Sequence, residues 1–242
     1  MKWRRQREAQ PGITERELVD TWQVVSLLLD YPDAVLVQRV PMLRSVVETL
    51  PDAQRDPLAE VLDTLEQADL RDLRDLQSDY VDTFDLTRKC SLHLTYFTEG
   101  DTRRRGVALV EFKQAYRRAG VEFDTDAELP DHLCVVLEFG AVQDWATAWH
   151  LLNRHRVGIE VLRAGLAQRG SPWLPAVEAL RSTLPELDGD DRTALMRLVA
   201  EGPPQEDVGL EPYAIDPRLN PRPDPVDTTA LLGTTIPVGA PR

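Results

Sequence analysis

The sequence predicts an all-α fold in which the helices pack into a single bundle. Through the first 202 residues, apolar side chains recur at the three- and four-residue spacing of helices. Helix start and stop signals interrupt the pattern, and no strand pair, hairpin signal between strands or internal repeat emerges. Nine of the 18 prolines fall within 203–242, where apolar periodicity is weak. We therefore expect a helical domain over 1–202 and a Pro-rich, extended or disordered tail over 203–242.

Local signals place the individual helices. Thr14 and Glu17 form a capping-box pattern, so the first helix should start there and end before Pro32. Gly120 and Gly170 are expected to end two later helices, because glycine readily adopts the left-handed conformation of a helix C-terminus. The expected helices with clear bounds cover about 14–31, 70–85, 106–119, 144–169, 172–183 and 188–200.

Two prolines are expected to mark boundaries early in the chain. Pro41 should split the second helical segment, because a proline inside a helix removes one backbone hydrogen bond and clashes with the preceding turn. The third helix should open near Asp56 and Pro57, since proline is favoured in the first turn of a helix.

The predicted helix over about 70–85 has two chemically opposite faces. One face carries Leu70, Leu73, Leu76, Tyr80, Val81 and Phe84, and the other carries Asp72, Asp75, Asp79 and Asp82. The wider region 48–85 holds twelve acidic residues against three arginines. Such a region is typical of a solvated surface that keeps a protein soluble, and it is also suited to attract a basic peptide. The connection over 86–106 that follows is long for a compact domain, which favours a functional role, and we expect part of it to be helical.

The stretch 128–139 combines a helix start with a group of ionisable residues. Pro130 fits the first turn of a helix, and Asp131 beside it favours the positive end of the helix dipole. The following residues are apolar on every side, which predicts a helix in the middle of the bundle. Glu128, Asp131 and His132 should therefore lie at the mouth of a buried element, where burial and neighbouring charges shift pKa values.

Composition excludes several classes of protein. A formal charge of −13 argues against a nucleic-acid partner, because phosphate binding needs a basic face. No apolar run is long enough for direct membrane insertion, and the basic N-terminus lacks the apolar segment of an export signal. Two cysteines are too few for a disulfide scaffold. We therefore expect a cytoplasmic protein.

No motif of an enzyme or cofactor site emerges from the sequence. It contains no phosphate-binding Gly-rich loop, nucleophile elbow or HExxH motif, so we expect no cofactor. Cys90, His93, His132 and Cys134 are zinc-ligand types, but residues two apart on a helix point in different directions, which disfavours a metal site. From the residues alone, His132 is best interpreted as a capping or hydrogen-bonding core histidine.

Two segments resemble the redox-enzyme maturation chaperones of the TorD/NarJ family. The first is 80–106, YVDTFDLTRKCSLHLTYFTEGDTRRRG, and the second is 128–139, ELPDHLCVVLEF. The family motif is met by Glu128, Pro130, Asp131, His132 and Leu133. The resemblance extends over about 18–170. The first segment is similar to the NarJ group, the nitrate reductase molybdenum cofactor assembly chaperones.

The resemblance implies a non-enzymatic, all-helical chaperone of the TorD/NarJ type. Its client would be the N-terminal segment of the nitrate reductase α (catalytic) subunit, held until the molybdenum cofactor and the iron–sulfur cluster are inserted and before the subunit attaches to the membrane. Molybdenum cofactor biosynthesis proteins are further partners that the resemblance allows. A helix with an apolar and an acidic face suits a basic amphipathic client.

The client-binding residues that we predict lie in the first of these segments. Tyr80, Phe84, Leu94, Tyr96 and Phe97 are the predicted apolar anchors. The acidic residues Asp82, Asp85 and Glu99 are expected to attract positive charges of the client. Asp131 and His132 should fix the loop that closes the binding groove.

Two alternatives remain open at this point. The chain could serve another molybdoenzyme, such as a dimethyl sulfoxide or trimethylamine oxide reductase. It could instead be a helical metal hydrolase that uses His93, Asp131 and His132, although the His-Asp order of such enzymes is reversed here.

Overall fold

The computed structural model describes residues 12–67, 70–100, 102–123 and 128–201. Within these ranges the chain is all-α, which confirms the predicted fold class. The helices are α1 Glu15–Leu28, α2 Ala34–Val47, α3 Asp52–Gln67, α4 Leu70–Tyr80, α5 Leu94–Glu99, α6 Arg103–Arg118, α7 Leu133–Val142, α8 Trp145–Arg154, α9 Arg156–Arg169, α10 Leu174–Ser182 and α11 Gly189–Glu201. The predicted tail over 203–242 lies outside the described residues, so the division of the chain remains a prediction. No helix in the described ranges has the length and apolar character needed to cross a membrane.

The core is built around α1, which packs against α7, α10 and α2. Trp22 of α1 is completely buried, and its indole N–H donates to Thr183 Oγ1 at 3.0 Å. Its ring stacks on Trp149 of α8 with centroids 6.5 Å apart. Gly140 allows α7 to pack closely against Trp22 of α1, because a Cβ at position 140 would lie 2.7 Å from the Trp22 ring. The apolar stretch that opens α7 is therefore central to the bundle, as its composition predicts.

The first helix begins where its local signal places it. The Thr14 side chain accepts from the Glu17 backbone N–H, and the Glu17 carboxylate accepts from the Thr14 backbone N–H at 2.8 Å. This reciprocal pair satisfies two N–H groups that the helix itself cannot satisfy. The helix ends at Leu28, slightly before the predicted end at Pro32.

Both proline predictions are wrong. Pro41 lies inside a continuous α2, and Pro57 lies in the second turn of α3, which begins earlier than expected at Asp52. Each proline removes one helical hydrogen bond, a loss that tertiary burial outweighs. Four buried side chains hold α2 against the core on both sides of its proline: Leu36, Val40, Leu43 and Val47.

The predicted helix over about 144–169 is two helices, α8 and α9, that meet at His155. His155 has a non-helical ψ of 19° and is 7% exposed. Its imidazole packs against Phe112 of α6, with ring centroids 5.2 Å apart. The imidazole is thus buried beside α6 at the point where α8 ends and α9 begins. A contact between residues so far apart in the chain leaves no periodic pattern in the sequence, so the break could not be predicted from it. Gly170 ends α9 in the left-handed conformation, as predicted.

Candidate functional site

The two-faced fourth helix ends in a wide turn that leads into the candidate site. After Tyr80 the chain continues as a π-helical turn over Val81–Asp85, closed by the Leu86 N–H donating to the Val81 carbonyl at 3.1 Å. Single π-turns occur frequently at functional sites. Phe84 of the predicted apolar face is buried, whereas the placement of Val81 on that face is wrong, because its side chain is 37% exposed.

The long connection is partly helical, as expected, and is joined to the start of α7. It contains a 3₁₀ turn over Arg88–Cys90 and the short helix α5. Two backbone hydrogen bonds join it to the family motif: the Leu94 N–H donates to the Asp131 carbonyl at 3.0 Å, and the Leu133 N–H donates to the Leu92 carbonyl at 2.8 Å. This short antiparallel bridge holds the connection against the bundle.

Asp131 anchors the connection through its side chain as well. The carboxylate is fully buried, and its Oδ2 accepts from the backbone N–H of Thr95 at 3.1 Å and from the Thr95 hydroxyl at 2.5 Å. His93 Nδ1 lies 3.4 Å from its Oδ1, and Arg105 Nη2 lies 4.0 Å from its Oδ2. Asp131 therefore joins residues before α5, within α5 and at the start of α6.

The predicted role of Pro130 and Asp131 as the first turn of a helix is wrong. α7 begins at Leu133, and His132 is its N-cap residue. The Asp131 carboxylate accepts a hydrogen bond from the first turn of α5 instead of from the first turn of α7, the helix that follows Asp131 in sequence. The Tyr116 hydroxyl donates to the Pro130 carbonyl at 2.6 Å, which holds this turn from the side of α6. Glu128, by contrast, is exposed.

Electrostatics favour one protonation state of this cluster. Burial raises the pKa of Asp131, but the neighbouring His93 and the Thr95 donors lower it more, so the pKa lies below its usual value. Burial lowers the pKa of His132, and the neighbouring His93 lowers it further. The His93 and His132 rings meet edge to face, with centroids 5.2 Å apart. At neutral pH the cluster therefore holds an ionised Asp131 and a neutral His132.

A cleft of about 450 Å³ opens between the π-turn, the connection and α6. Its lining comprises Phe84, Asp85, Leu86, Thr87, Arg88, Ser91, His93, Tyr96 and Arg105. Three of the predicted client-binding residues, Phe84, Asp85 and Tyr96, are among them. Leu86, which the sequence analysis did not single out, is 71% exposed and forms its most accessible apolar wall.

The other predicted client-binding residues lie elsewhere. Leu94 and Phe97 are each 1% exposed in the core, and the Tyr80 hydroxyl donates to the Leu29 carbonyl at 3.0 Å. Asp82 is exposed outside the cleft lining. Glu99 lines a neighbouring pocket of about 360 Å³. Direct client contact with Tyr80, Leu94 or Phe97 would therefore require the bundle to open.

The sequence analysis missed the cationic part of the lining. Arg105 belongs to the run Arg103, Arg104 and Arg105, whose pattern is typical of a solvated cluster. Only the fold shows that Arg105 alone of the three lines the cleft, with its guanidinium 6.0 Å from the centre of the Tyr96 ring. Although His93, Asp131 and His132 meet, the described ranges contain no group of three or more His, Cys, Asp or Glu side chains that could hold a metal ion.

Comparison with known proteins identifies the family. The family described as nitrate reductase delta subunit matches residues 48–179, more than half of the chain. The chain belongs to this family. The probable nitrate reductase molybdenum cofactor assembly chaperone NarJ of Bacillus subtilis is 28% identical over 171 residues, covering 71% of this chain and 90% of that protein. The resemblance to the NarJ group is thereby confirmed.

Two further matches show how far the similarity extends. The nitrate reductase-like protein NarX of Mycobacterium tuberculosis is 35% identical over 162 residues, which are 67% of this chain and only 24% of NarX. The crystal structure of a putative redox enzyme maturation protein from Archaeoglobus fulgidus superposes with a TM-score of 0.51 at 23% identity. It covers 74% of this chain and 97% of the other, so the two share a fold.

Proposed function

We propose that this protein is a nitrate reductase molybdenum cofactor assembly chaperone without enzymatic activity. It binds the N-terminal segment of the nitrate reductase α subunit and keeps it competent for insertion of the molybdenum cofactor and the iron–sulfur cluster before membrane attachment. Membership of the family, whose relatives include chaperones named for this role, supports the proposal. The observation that carries it is the cleft of about 450 Å³ beside the family motif.

The cleft suits a peptide better than a small substrate. It is open to solvent along the exposed Leu86, while Phe84 and Tyr96 provide an aromatic floor. Amphipathic segments bind such grooves through a few apolar anchors, and charges on the rim set orientation and association rate. The acidic side chains Asp82 and Asp85 beside the cleft attract basic residues of the client.

The family motif holds this cleft in shape. Asp131 bonds Thr95 and contacts His93 and Arg105, and the latter two line the cleft. The cleft residues are therefore already ordered before the client binds. Binding loses less conformational entropy and is tighter as a result. Release follows when the client folds around its cofactors and withdraws the segment from the cleft.

Calorimetric titration with a synthetic peptide of the α-subunit N-terminal segment tests the proposal. Leu86→Asp should weaken binding about tenfold, because it places a charge on the accessible apolar wall. Met42→Asp is the matched control, since Met42 is 56% exposed on α2 and does not line the cleft. Absence of peptide binding, or equal binding by both variants, would contradict the proposal.

A second titration separates the electrostatic contribution. Asp82→Asn combined with Asp85→Asn should weaken binding of the same peptide and reduce its dependence on salt. Binding that is indifferent to both salt and these substitutions would show that the acidic residues do not attract the client.

A further inference from the structure

The walls of the cleft are held in different ways. On one wall, His93 and Arg105 lie against the buried carboxylate of Asp131. Another wall consists of the end of the π-turn and the residues that follow it, and four neighbouring residues of this wall line the cleft: Phe84, Asp85, Leu86 and Thr87. The hydrogen-bond register of the π-turn therefore decides which side chains a bound segment meets on this wall.

The π-turn contains a buried hydroxyl that has no hydrogen-bond partner. Thr83 is completely buried in the middle of the turn, and its Oγ1 makes no hydrogen bond to any of the described residues. In an α-helix a threonine hydroxyl is able to donate to the carbonyl three or four residues earlier, which for Thr83 is that of Tyr80 or Asp79. A buried polar group without a partner destabilises the state that contains it. The π register therefore leaves unsatisfied a hydroxyl that an α-helical register would satisfy.

The side chain of Thr87 holds the turn in the π register. Its hydroxyl donates to the Asp82 carbonyl at 2.8 Å, while the Leu86 N–H donates to the Val81 carbonyl at 3.1 Å. In an α-helix the Leu86 N–H would donate to the Asp82 carbonyl instead, because α-helical hydrogen bonds join residues four apart. Arg169 of α9 donates to the Thr87 hydroxyl at 3.2 Å and keeps it in this position. The π register is thus stabilised by contacts that an α register would lose.

Each register satisfies a hydroxyl that the other leaves without an acceptor. The π register satisfies Thr87 and leaves Thr83 unsatisfied, and the α register does the reverse. Because the two registers exchange one side-chain hydrogen bond for another, their free energies are close. A change of register would turn the residues from Leu86 onward by about 100° around the helix axis, the angle that one residue of an α-helix contributes. Leu86, which is 71% exposed in the π register, would turn with them.

We propose that the π-turn is a two-register wall of the cleft, which changes from the π to the α register when a client segment binds. Thr87 lines the cleft, so a backbone carbonyl of the client can accept the proton that Thr87 now donates to Asp82. Loss of that bond releases the π register, and Thr83 gains an acceptor in the α register. The client therefore interacts differently with the two registers, as a ligand must in order to shift an equilibrium. The inference rests on the proposed function for the identity of the client.

Substitution by valine tests the unsatisfied hydroxyl without any client. Thr83→Val removes the hydroxyl and keeps the branched shape, so the urea midpoint of the full-length protein should rise by about 0.5 M. Thr95→Val is the matched control, because Thr95 is equally buried but its hydroxyl donates to Asp131 at 2.5 Å. The midpoint of the control should fall. An unchanged or lower midpoint for Thr83→Val would overturn the proposal.

The acceptor of the Leu86 N–H reports the register directly. Scalar coupling across this hydrogen bond, measured by NMR on the deuterated full-length protein, should identify Val81 as the acceptor. In Thr87→Val this coupling should weaken and a coupling to the Asp82 carbonyl should appear. Thr49→Val is the matched control, because the Thr49 hydroxyl also donates to a backbone carbonyl, at 2.7 Å, but lies at the exposed end of α2. A coupling that stays with Val81 in Thr87→Val would overturn the proposal.

The α-subunit segment separates this proposal from the proposed function. Added to the unsubstituted protein, it should change the acceptor of the Leu86 N–H from Val81 to Asp82. If the segment binds but the acceptor remains Val81, the two-register wall is wrong and the proposed function stands. If Thr83→Val and Thr87→Val give the expected results but the segment does not bind, the two registers stand and the proposed function fails.

Discussion

Replacing Asp131 by asparagine should destabilise the protein by about 3 kcal/mol. The substitution keeps the shape of the side chain but removes the charge that accepts from Thr95 and faces Arg105. A hydrogen bond to a charged group contributes about 1.5–3 kcal/mol, and loss of the negative charge beside Arg105 adds to the destabilisation. The Arg105 contribution is partly screened, because 18% of its side chain reaches solvent.

Thr95→Val separates the hydrogen bond from the charge. It removes only the hydroxyl donor at 2.5 Å and keeps the backbone N–H bond to Asp131, so we expect a loss of about 1–2 kcal/mol. Because the two residues share this bond, the double variant should lose less than the sum, with a coupling of about 1 kcal/mol.

Urea unfolding followed by tryptophan fluorescence measures these free energies. Asp144→Asn is the matched control, because Asp144 accepts from the N–H and hydroxyl of Thr147 at 3.0 and 2.6 Å in a partly exposed helix cap. Asparagine also caps helices well, so the control should lose under about 0.5 kcal/mol. The reasoning is refuted if Asp131→Asn lowers the free energy of unfolding no more than the control does. It is also refuted if the double variant loses the full sum of the losses of Asp131→Asn and Thr95→Val.

Two further predictions concern stability. Burial lowers the pKa of His155 to about 4. Between pH ~6.5 and ~4 the unfolded chain therefore binds a proton that the folded protein excludes. The free energy of unfolding should decrease by up to about 3 kcal/mol as the pH falls through this range. His155→Gln should remove this part of the pH dependence in urea titrations; an unchanged slope would contradict the assignment. Gly140→Ala should cost about 1–3 kcal/mol, because its Cβ would lie 2.6 Å from Ala148 Cβ and 2.7 Å from the Trp22 ring. Gly106→Ala, which meets nothing within 4 Å on α6, should instead stabilise by about 0.5 kcal/mol, and equal thermal shifts would count against this account of the packing.

Features set by neighbouring residues were predictable from the sequence. The capping box at Thr14 and the left-handed end at Gly170 depend on a few adjacent residues, and both have the predicted geometry. The amphipathic pattern around Tyr80 also correctly predicted the burial of Leu73, Tyr80 and Phe84, although it wrongly placed Val81 on the same face. These signals act within one or two helical turns, so one sequence contains them in full.

Features set by distant contacts were not predictable in the same way. Pro41 and Pro57 looked like boundaries, but burial of the surrounding apolar side chains outweighs one lost hydrogen bond. The break at His155 coincides with packing on Phe112, more than 40 residues away in sequence.

The candidate site was also predictable only in part, because its geometry depends on contacts between distant residues. The motif around Asp131 was recognisable, but its use as an anchor for Thr95 required the fold. The cleft position of Arg105 likewise follows from the packing of α5 against α6, because its two neighbouring arginines have the same sequence character.

Site-specific crosslinking tests the central claim most directly. A photoreactive benzoylphenylalanine in place of Leu86, in cells that make nitrate reductase, should crosslink the chaperone to the N-terminal segment of the immature α subunit. The same residue in place of Met42, which is exposed outside the cleft, should not. Equal crosslinking from both positions, or no α-subunit product from the Leu86 position, would contradict the account.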